Sequence, residues 1–304
     1  MTTAFVLSGG GSLGAVQVGM LQALADHHIR PDLLVGTSAG ALNAAFIAGH
    51  GTDRGAIGDL AQVWEGLRAR SVFSVDPRRT IAALAGRSNA ICADRGLRAL
   101  LDRHLRFHTL EDAPTPLMIV TTDLLTGREV VLSTGDARDA VLASCAIPAV
   151  FPPIERNDAV LADGGLANNS AVSLAVLAGA DTIYVLTSGY ACALPRAPRT
   201  PWGVAAHALT LLTHQRLVAD VARYADHVDL VVLPTLCPLR VSPVDFSRAR
   251  ELGRNARTEA LRWLAEDGGR RQHPERNLAL HTHLDDTGRP GRRHPDGCLP
   301  LRTG

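Results

Sequence analysis

A serine flanked by glycines, Gly36-Thr37-Ser38-Ala39-Gly40, stands between the apolar run Leu33-Leu34-Val35 and a helix-like stretch over 41–48. Strand, sharp bend and helix in so few residues leave little freedom in how the chain can fold. The glycines let backbone and other groups approach closely. The serine hydroxyl is held out on the bend, and the helix begins with its N–H groups facing it. This is the form of a nucleophile elbow. It makes Ser38 a candidate acyl-transfer nucleophile, framed by Gly36, Thr37, Ala39 and Gly40.

The surrounding pattern agrees. A short buried strand is expected over 4–7, a glycine loop over 9–14 and a helix over 15–25 with Val16, Met20, Leu21 and Leu24 on one face. Strands alternating with helices at this spacing predict a parallel sheet with helices on its faces. Further on, 51–107 reads as mostly helical. Strands are expected over 117–122 and 129–132, joined as a hairpin through Leu125-Thr126-Gly127. A short helix over 137–143 precedes Pro148, Pro152 and Pro153, which predict an extended connection. Then come a brief strand at Val160-Leu161, a helix over 170–178, strands over 182–186 and 229–233 around a long helix over 204–224, and a last helix over 247–265. The chain therefore reads as one domain over 1–265, with a motif-bearing part over about 4–190 and a C-terminal part over 191–265.

From Glu266 onward Gly, Arg, His, Pro and Asp dominate, and Leu278, Leu280 and Leu299 are too sparse for a core. A disordered tail is expected over 266–304. Its histidines, His273, His281, His283 and His294, give little support for a metal or nucleic-acid role.

Composition bounds the function. The 304 residues are 46% hydrophobic and 20% charged, with a net charge of +1. That balance gives no electrostatic case for nucleic acid. All 31 basic residues are arginine, which reads as coding bias. The five cysteines (Cys92, Cys145, Cys192, Cys237 and Cys298) are scattered without C-x-x-C spacing. Reduced thiols and a cytoplasmic location are expected, without a metal site. The N-terminus does not read as a signal peptide, and no apolar run approaches the roughly 20 residues of a spanning helix.

Gly9-Gly10-Gly11-Ser12-Leu13-Gly14 contains G-x-G-x-x-G between a strand and a helix. A dinucleotide site also needs an acidic residue at the end of the second strand. That strand ends in Val35-Gly36-Thr37-Ser38, and Asp32 lies at its other end. No nucleotide cofactor is expected. Beside a nucleophilic serine, the same exposed N–H groups suit an oxyanion hole made by Gly9, Gly10, Gly11, Ser12 and Gly14.

A serine needs a base. His207 and His214 share a face of the expected long helix, and none of His207, His214 and His227 sits in a loop directly after a strand. Asp163 ends the short strand at Val160-Leu161 and is followed by Gly164 and Gly165, which permit a sharp turn. A carboxylate can serve as base where burial raises its proton affinity. A Ser–Asp–His arrangement and a catalytically silent protein of the same fold stay open as alternatives.

These three motifs, in this order, resemble the patatin-like phospholipase family. Thr121-Thr122-Asp123-Leu124, Thr126-Gly127, Ala143-Ser144-Cys145-Ala146-Ile147-Pro148 and Phe151-Pro152-Pro153 also look like its blocks. The resemblance covers roughly 4–190. It implies a three-layer α/β/α sandwich with a mostly parallel central sheet. It also implies hydrolysis of fatty-acyl esters of lipids by a Ser38–Asp163 pair, with neither metal nor cofactor. Gly10 and Gly11 amides with their neighbours would hold the oxyanion. The implied partners are a lipid or acyl-ester substrate and a transient membrane surface. One departure is Leu13, where the family usually has Arg or Lys. The acyl channel is expected along Leu13, Val16, Ala39, Ala41 and Leu42, and Trp202 with Val204, Leu209, Leu211 and Leu212 is a candidate interfacial surface.

Overall fold

Short runs rich in Val, Ile and Leu become strands, and amphipathic stretches with glycine or proline at their ends become helices. The computed structural model describes residues 1–75, 77–189, 194, 197–237, 239, 241–282 and 299–300. Its strands are β1 (Thr3–Leu7), β2 (Leu33–Thr37), β3 (Ser74–Val75), β4 (Cys92–Ala93), β5 (Leu117–Asp123), β6 (Glu129–Leu132), β7 (Ile154–Arg156), β8 (Ala159–Asp163), β9 (Thr182–Leu186), β10 (Asp229–Val232), β11 (His281–Thr282) and β12 (Leu299–Pro300). Its helices are α1 (Gly14–Asp26), α2 (Ala39–His50), α3 (Arg54–Gly66), α4 (Ala69–Val72), α5 (Pro77–Leu84), α6 (Arg95–His104), α7 (Ala137–Ser144), α8 (Gly165–Asn168), α9 (Val172–Leu177), α10 (Pro201–Tyr224) and α11 (Ala249–Ala265).

The central sheet runs β10-β9-β1-β2-β5, all parallel. β5 also pairs antiparallel with β6 and β8, and β8 with β7. The period-2 alternation of a strand sends successive side chains to opposite faces. Phe5 and Leu7 point into a core shared with α1, α2, α3, α7 and α11. Ala4 and Val6 point into a second core shared with α9 and α10. The result is a three-layer α/β/α sandwich with a mostly parallel central sheet, as the alternation and the family resemblance predict.

Three details differ from the sequence reading. β7 replaces part of the extended connection after Pro153. It forms a hairpin with β8 through Asn157 and Asp158, both at positive φ (48° and 63°), the backbone a tight two-residue turn demands. The segment from Glu266 contains 3-10 turns at Asp267–Gly269 and Pro274–Leu278. Leu278 is buried, and its carbonyl oxygen lies 2.7 Å from His214 Nε2 on α10. A single leucine can pack even where a segment is too polar to build a core. Residues 283–298 and 301–304, including His283, His294 and Cys298, lie outside the described residues, as does Cys192.

The C-terminal helix is built into the first core. α1 crosses α11 so closely that a Cβ on Gly19 would stand 2.0 Å from the Gly253 carbonyl oxygen. Two helix backbones cannot both yield, so overpacking falls on the whole crossing. Gly19→Ala is expected to lower stability by about 3 kcal/mol, read as a Tm drop of roughly 6–12 °C by calorimetry.

Candidate active site

The elbow has the strain its motif implies. Ser38 adopts φ 54° and ψ −122°, a conformation L residues with a Cβ rarely take. Close approach on both sides accounts for the glycines. A Cβ on Gly40 would meet the Leu7 carbonyl oxygen at 2.1 Å, and one on Gly36 would meet the Ala41 Cα at 2.7 Å. The last residue of α7 and the one after it pin the bend. Ser144 Oγ accepts from Ser38 N–H at 2.8 Å and donates to the Val120 carbonyl at 2.6 Å, while Cys145 Sγ donates to the Ser38 carbonyl at 3.3 Å.

Sheet register brings Asp163 to this serine across 125 residues of sequence. Residues 117–120 of β5 pair with β2, 121–123 pair with β8, and 119–122 pair with β6. A strand has only two edges, so β2 and β8 share the one opposite β6. β2 runs parallel to β5 and stops at Thr37, beside Val120. β8 runs the other way and stops at Asp163, beside Thr121. The two strand ends meet head-on along β5, and Ser38 Oγ donates to Asp163 Oδ2 at 2.5 Å. Thr122 Oγ1 donates to the Asp163 carbonyl and accepts from Ala167 N–H, which fixes the turn into α8.

Both groups are secluded, Ser38 at 6% and Asp163 at 8% exposure. Burial raises the Asp163 carboxyl from 3.8 to about 6, against the lowering effect of its hydrogen bonds from Ser38 and Gly165 N–H. The result is a carboxylate of raised proton affinity bonded directly to a serine hydroxyl. Burial also pushes the Cys145 thiol well up, with the Asp163 charge adding to it, so Cys145 is a hydrogen-bond donor here and not a thiolate.

The glycine loop is divided in its use of amides. Gly9 N–H donates to the Asn169 carbonyl, Ser12 N–H to the Pro243 carbonyl, and Gly14 N–H to the carbonyls of Gly11 and Ser12. Gly10 and Gly11 N–H are left without an acceptor among the described residues. Gly11 sits at φ 59°, and a Cβ there would touch the Pro243 carbonyl oxygen at 2.5 Å. Of the five expected anion donors, Gly9, Ser12 and Gly14 thus spend their amides on structure. The Ala39 amide, in the first turn of α2 directly after Ser38, is an orphan donor of the kind every helix start leaves.

Other expectations fare differently. No described histidine bonds to Ser38 or Asp163, and His214 is instead buried on α10 against Leu278. Leu13, Val16, Ala39 and Ala41 are packed into the first core, so only Leu42 of the expected channel is partly open. The Trp202 side chain lies outside the described residues. Asp123 is a turn former: it accepts from Leu125 N–H, Thr126 Oγ1 and Val160 N–H, which hold its carboxyl below the usual range. Sequence reasoning missed the roles of Asn169 and Pro243, because their acceptor carbonyls reach the loop from distant segments with no local signal.

Ser144 is the support whose loss should be felt first. Ser144→Ala leaves the Ser38 amide and the Val120 carbonyl unpaired in a dry interior. The expected cost is about 2–4 kcal/mol of stability, with kcat falling more than KM changes. Thermal unfolding together with steady-state kinetics checks it; a full kcat at lowered Tm reduces Ser144 to packing.

Comparison with known proteins bears on this constellation. The family model described as patatin-like phospholipase matches residues 5–176. An uncharacterized NTE family protein of Mycobacterium tuberculosis (strain ATCC 25618 / H37Rv) is 31% identical over 165 residues, 54% of this chain and 26% of that protein. Patatin-like phospholipase domain-containing protein 7 of Rattus norvegicus is 29% identical over 188 residues, 61% of this chain and 13% of that one. The chain therefore matches well under half the length of these relatives. Among solved structures, VipD from Legionella pneumophila superposes with a TM-score of 0.48 at 17% identity, covering 86% of this chain and 67% of that one.

Proposed function

Because the chain belongs to the patatin-like phospholipase family, we propose that it is a lipid acyl hydrolase in which Ser38 is the nucleophile and Asp163 the base. The observation that carries this reading is the 2.5 Å hydrogen bond from Ser38 Oγ to Asp163 Oδ2 at the junction of two strand ends. A carboxylate with its proton affinity raised to about 6 is poised to take the hydroxyl proton near neutral pH.

Asp163 Oδ2 accepts the Ser38 proton as Oγ attacks an ester carbonyl. The tetrahedral oxyanion is received by the Gly10 and Gly11 amides, with the Ala39 amide at the positive end of α2. These donors are fixed before the substrate arrives, so no reorganisation is needed when charge develops. Asp163 then gives its proton to the departing alcohol, and the acyl group stays on Ser38. Water enters and attacks the acyl carbonyl as Asp163 takes its proton; the C–Oγ bond then breaks, Asp163 returns the proton to Ser38 Oγ, and the fatty acid is released. Leu13 leaves the loop without a side-chain cation, so the backbone carries the anion binding.

A panel of acyl substrates, including phospholipid, lysophospholipid, monoglyceride and thioester, tests this reading. It should be hydrolysed by the wild-type protein and not by Ser38→Ala or Asp163→Ala. A fluorophosphonate probe should label Ser38. Failure of wild-type protein both to label and to turn over any of these substrates assigns it instead to the silent, non-catalytic alternative.

A further inference from the structure

Residues 201–215 of α10 contain no Asp, Glu or Arg, while Arg199 and Arg216 stand on either side. The second half of the helix is conventional, with Leu217 and Val221 buried in the second core. The first half is not. Val204, Leu209 and Leu212 are exposed at 51%, 43% and 67%, and Ala205, Ala206 and Ala208 are exposed beside them. Successive helical residues are separated by about 100°, so Val204, Ala205 and Ala206 alone sweep about 200° of the circumference. Among the described side chains of this half, Gly203, His207, Leu211, Thr213 and His214 are the less exposed ones, and His207, Leu211 and His214 form the stripe turned toward the body of the protein.

That distribution selects the occupant. A protein partner would cover one side of a helix and leave charges on the other. Exposed apolar residues around most of the circumference, without a charge, suit a medium that is apolar in every direction. Apart from the exposed Gln215 next to Arg216, and from His207 and His214 on the inner stripe, the polar side chains are threonines whose hydroxyls are already satisfied: Thr210 Oγ1 donates to the Ala206 carbonyl at 2.9 Å and Thr213 Oγ1 to the Leu209 carbonyl at 3.1 Å. Moving them out of water leaves no hydroxyl proton unpaired. Fifteen residues rise about 22 Å, short of the roughly 30 Å of a bilayer core. No helix among the described residues is long and apolar enough to cross a membrane. The geometry therefore fits shallow insertion into one leaflet, with Arg199 at the headgroup level where phosphates lie.

The root of this half-helix is tied to the candidate site. Arg216 Nη1 donates to the Ala167 carbonyl of α8 at 2.6 Å, and α8 begins two residues after Asp163. Leu166, exposed at 42%, lies on that same short helix. We propose that the first half of α10 docks into the surface of a phospholipid bilayer and holds α8 and the neighbouring Ser38–Asp163 pair close to it. Its purpose, though not its test, rests on the acyl-hydrolase reading.

The test is flotation of the full chain with vesicles of phosphatidylcholine and phosphatidylglycerol, comparing wild type with Leu209→Glu/Leu212→Glu. Wild type should float with the vesicles, and the double variant should lose at least about tenfold in partition. Leu177→Glu, an exposed leucine on α9, should bind like wild type. Unchanged Tm in all variants is expected, since the replaced side chains are exposed. Hydrolysis of a short-chain, water-soluble acyl ester should be unaffected by the double variant. Equal flotation of wild type and double variant, or none by wild type, overturns the proposal. So does lipid-independent self-association that the double variant abolishes, which would assign the helix to a second copy. Vesicle binding by a protein that cleaves no ester would keep the docking surface and refute the hydrolase reading.

Discussion

Ser38→Ala is expected to abolish hydrolysis of every acyl ester that the wild-type protein is found to cleave, by at least about 10⁴-fold in kcat, with folding intact. The hydroxyl has no understudy: the Cys145 thiol is buried and held protonated while it donates to the Ser38 carbonyl, and the Ser144 hydroxyl is spent between the Ser38 amide and the Val120 carbonyl. Water attacking directly would still find the proposed anion donors Gly10, Gly11 and Ala39, which would leave a small residual rate. The substitution also has a consequence away from turnover. The Ser38 hydrogen bond lowers the Asp163 carboxyl, and without it only the Gly165 amide opposes the burial that raises it. The Asp163 titration, followed by NMR, is expected to move above about 6 in the variant. Turnover retained in Ser38→Ala, or an Asp163 titration that does not move, would remove the hydrogen-bonded pair from the mechanism.

What could be read in advance follows the range of the forces involved. The elbow was legible because everything that makes it is local: an apolar strand, two close-approach glycines and a helix start within a few residues. β1, β9 and β10 were legible for the same reason, as short β-branched runs with clear ends. Asp163 was legible as a turn carboxylate, but its meeting with Ser38 depends on β5 changing partners from β2 to β8 between Val120 and Thr121, which no local pattern encodes. The glycine loop was read too generously for a related reason. Whether an amide is free depends on where the Asn169 and Pro243 carbonyls arrive, and those come from far along the chain. β7 was hidden behind Pro152 and Pro153, whose local preference for extended backbone is compatible with either a strand or a loop. Leu278 shows the limit of composition: polarity over 266–282 argues against a core but not against one leucine filling a gap beside α10.

Asp163→Asn separates activity from stability, and pH gives the sign of each. The carboxyl titrates near 6 in the native protein and near 3.8 when exposed. Between those values the native state holds a proton that the unfolded chain has lost, so native stability falls as pH rises from about 4 through 6. Above pH 7 the buried, ionised carboxylate costs up to about 3 kcal/mol relative to its protonated form. An asparagine amide keeps an oxygen for the Gly165 N–H and offers an N–H₂ to Ser38 Oγ, without the charge. The variant is therefore expected to be more stable than wild type at pH 8, by up to about 3 kcal/mol, and nearly equal to it at pH 4. Its activity moves the opposite way, falling about 10²–10⁴-fold with the base gone. With Asp163 as the proposed base the ionised form is the active one, so kcat/KM should climb with pH along a limb of apparent pKa near 6. In Asp163→Asn that limb should vanish from the residual rate. Denaturant melts at the two pH values and a pH–rate profile of both proteins measure all of this. A variant no more stable at pH 8 than at pH 4, relative to wild type, would mean that Asp163 is not the secluded carboxyl of raised proton affinity that its place at the end of β8 implies.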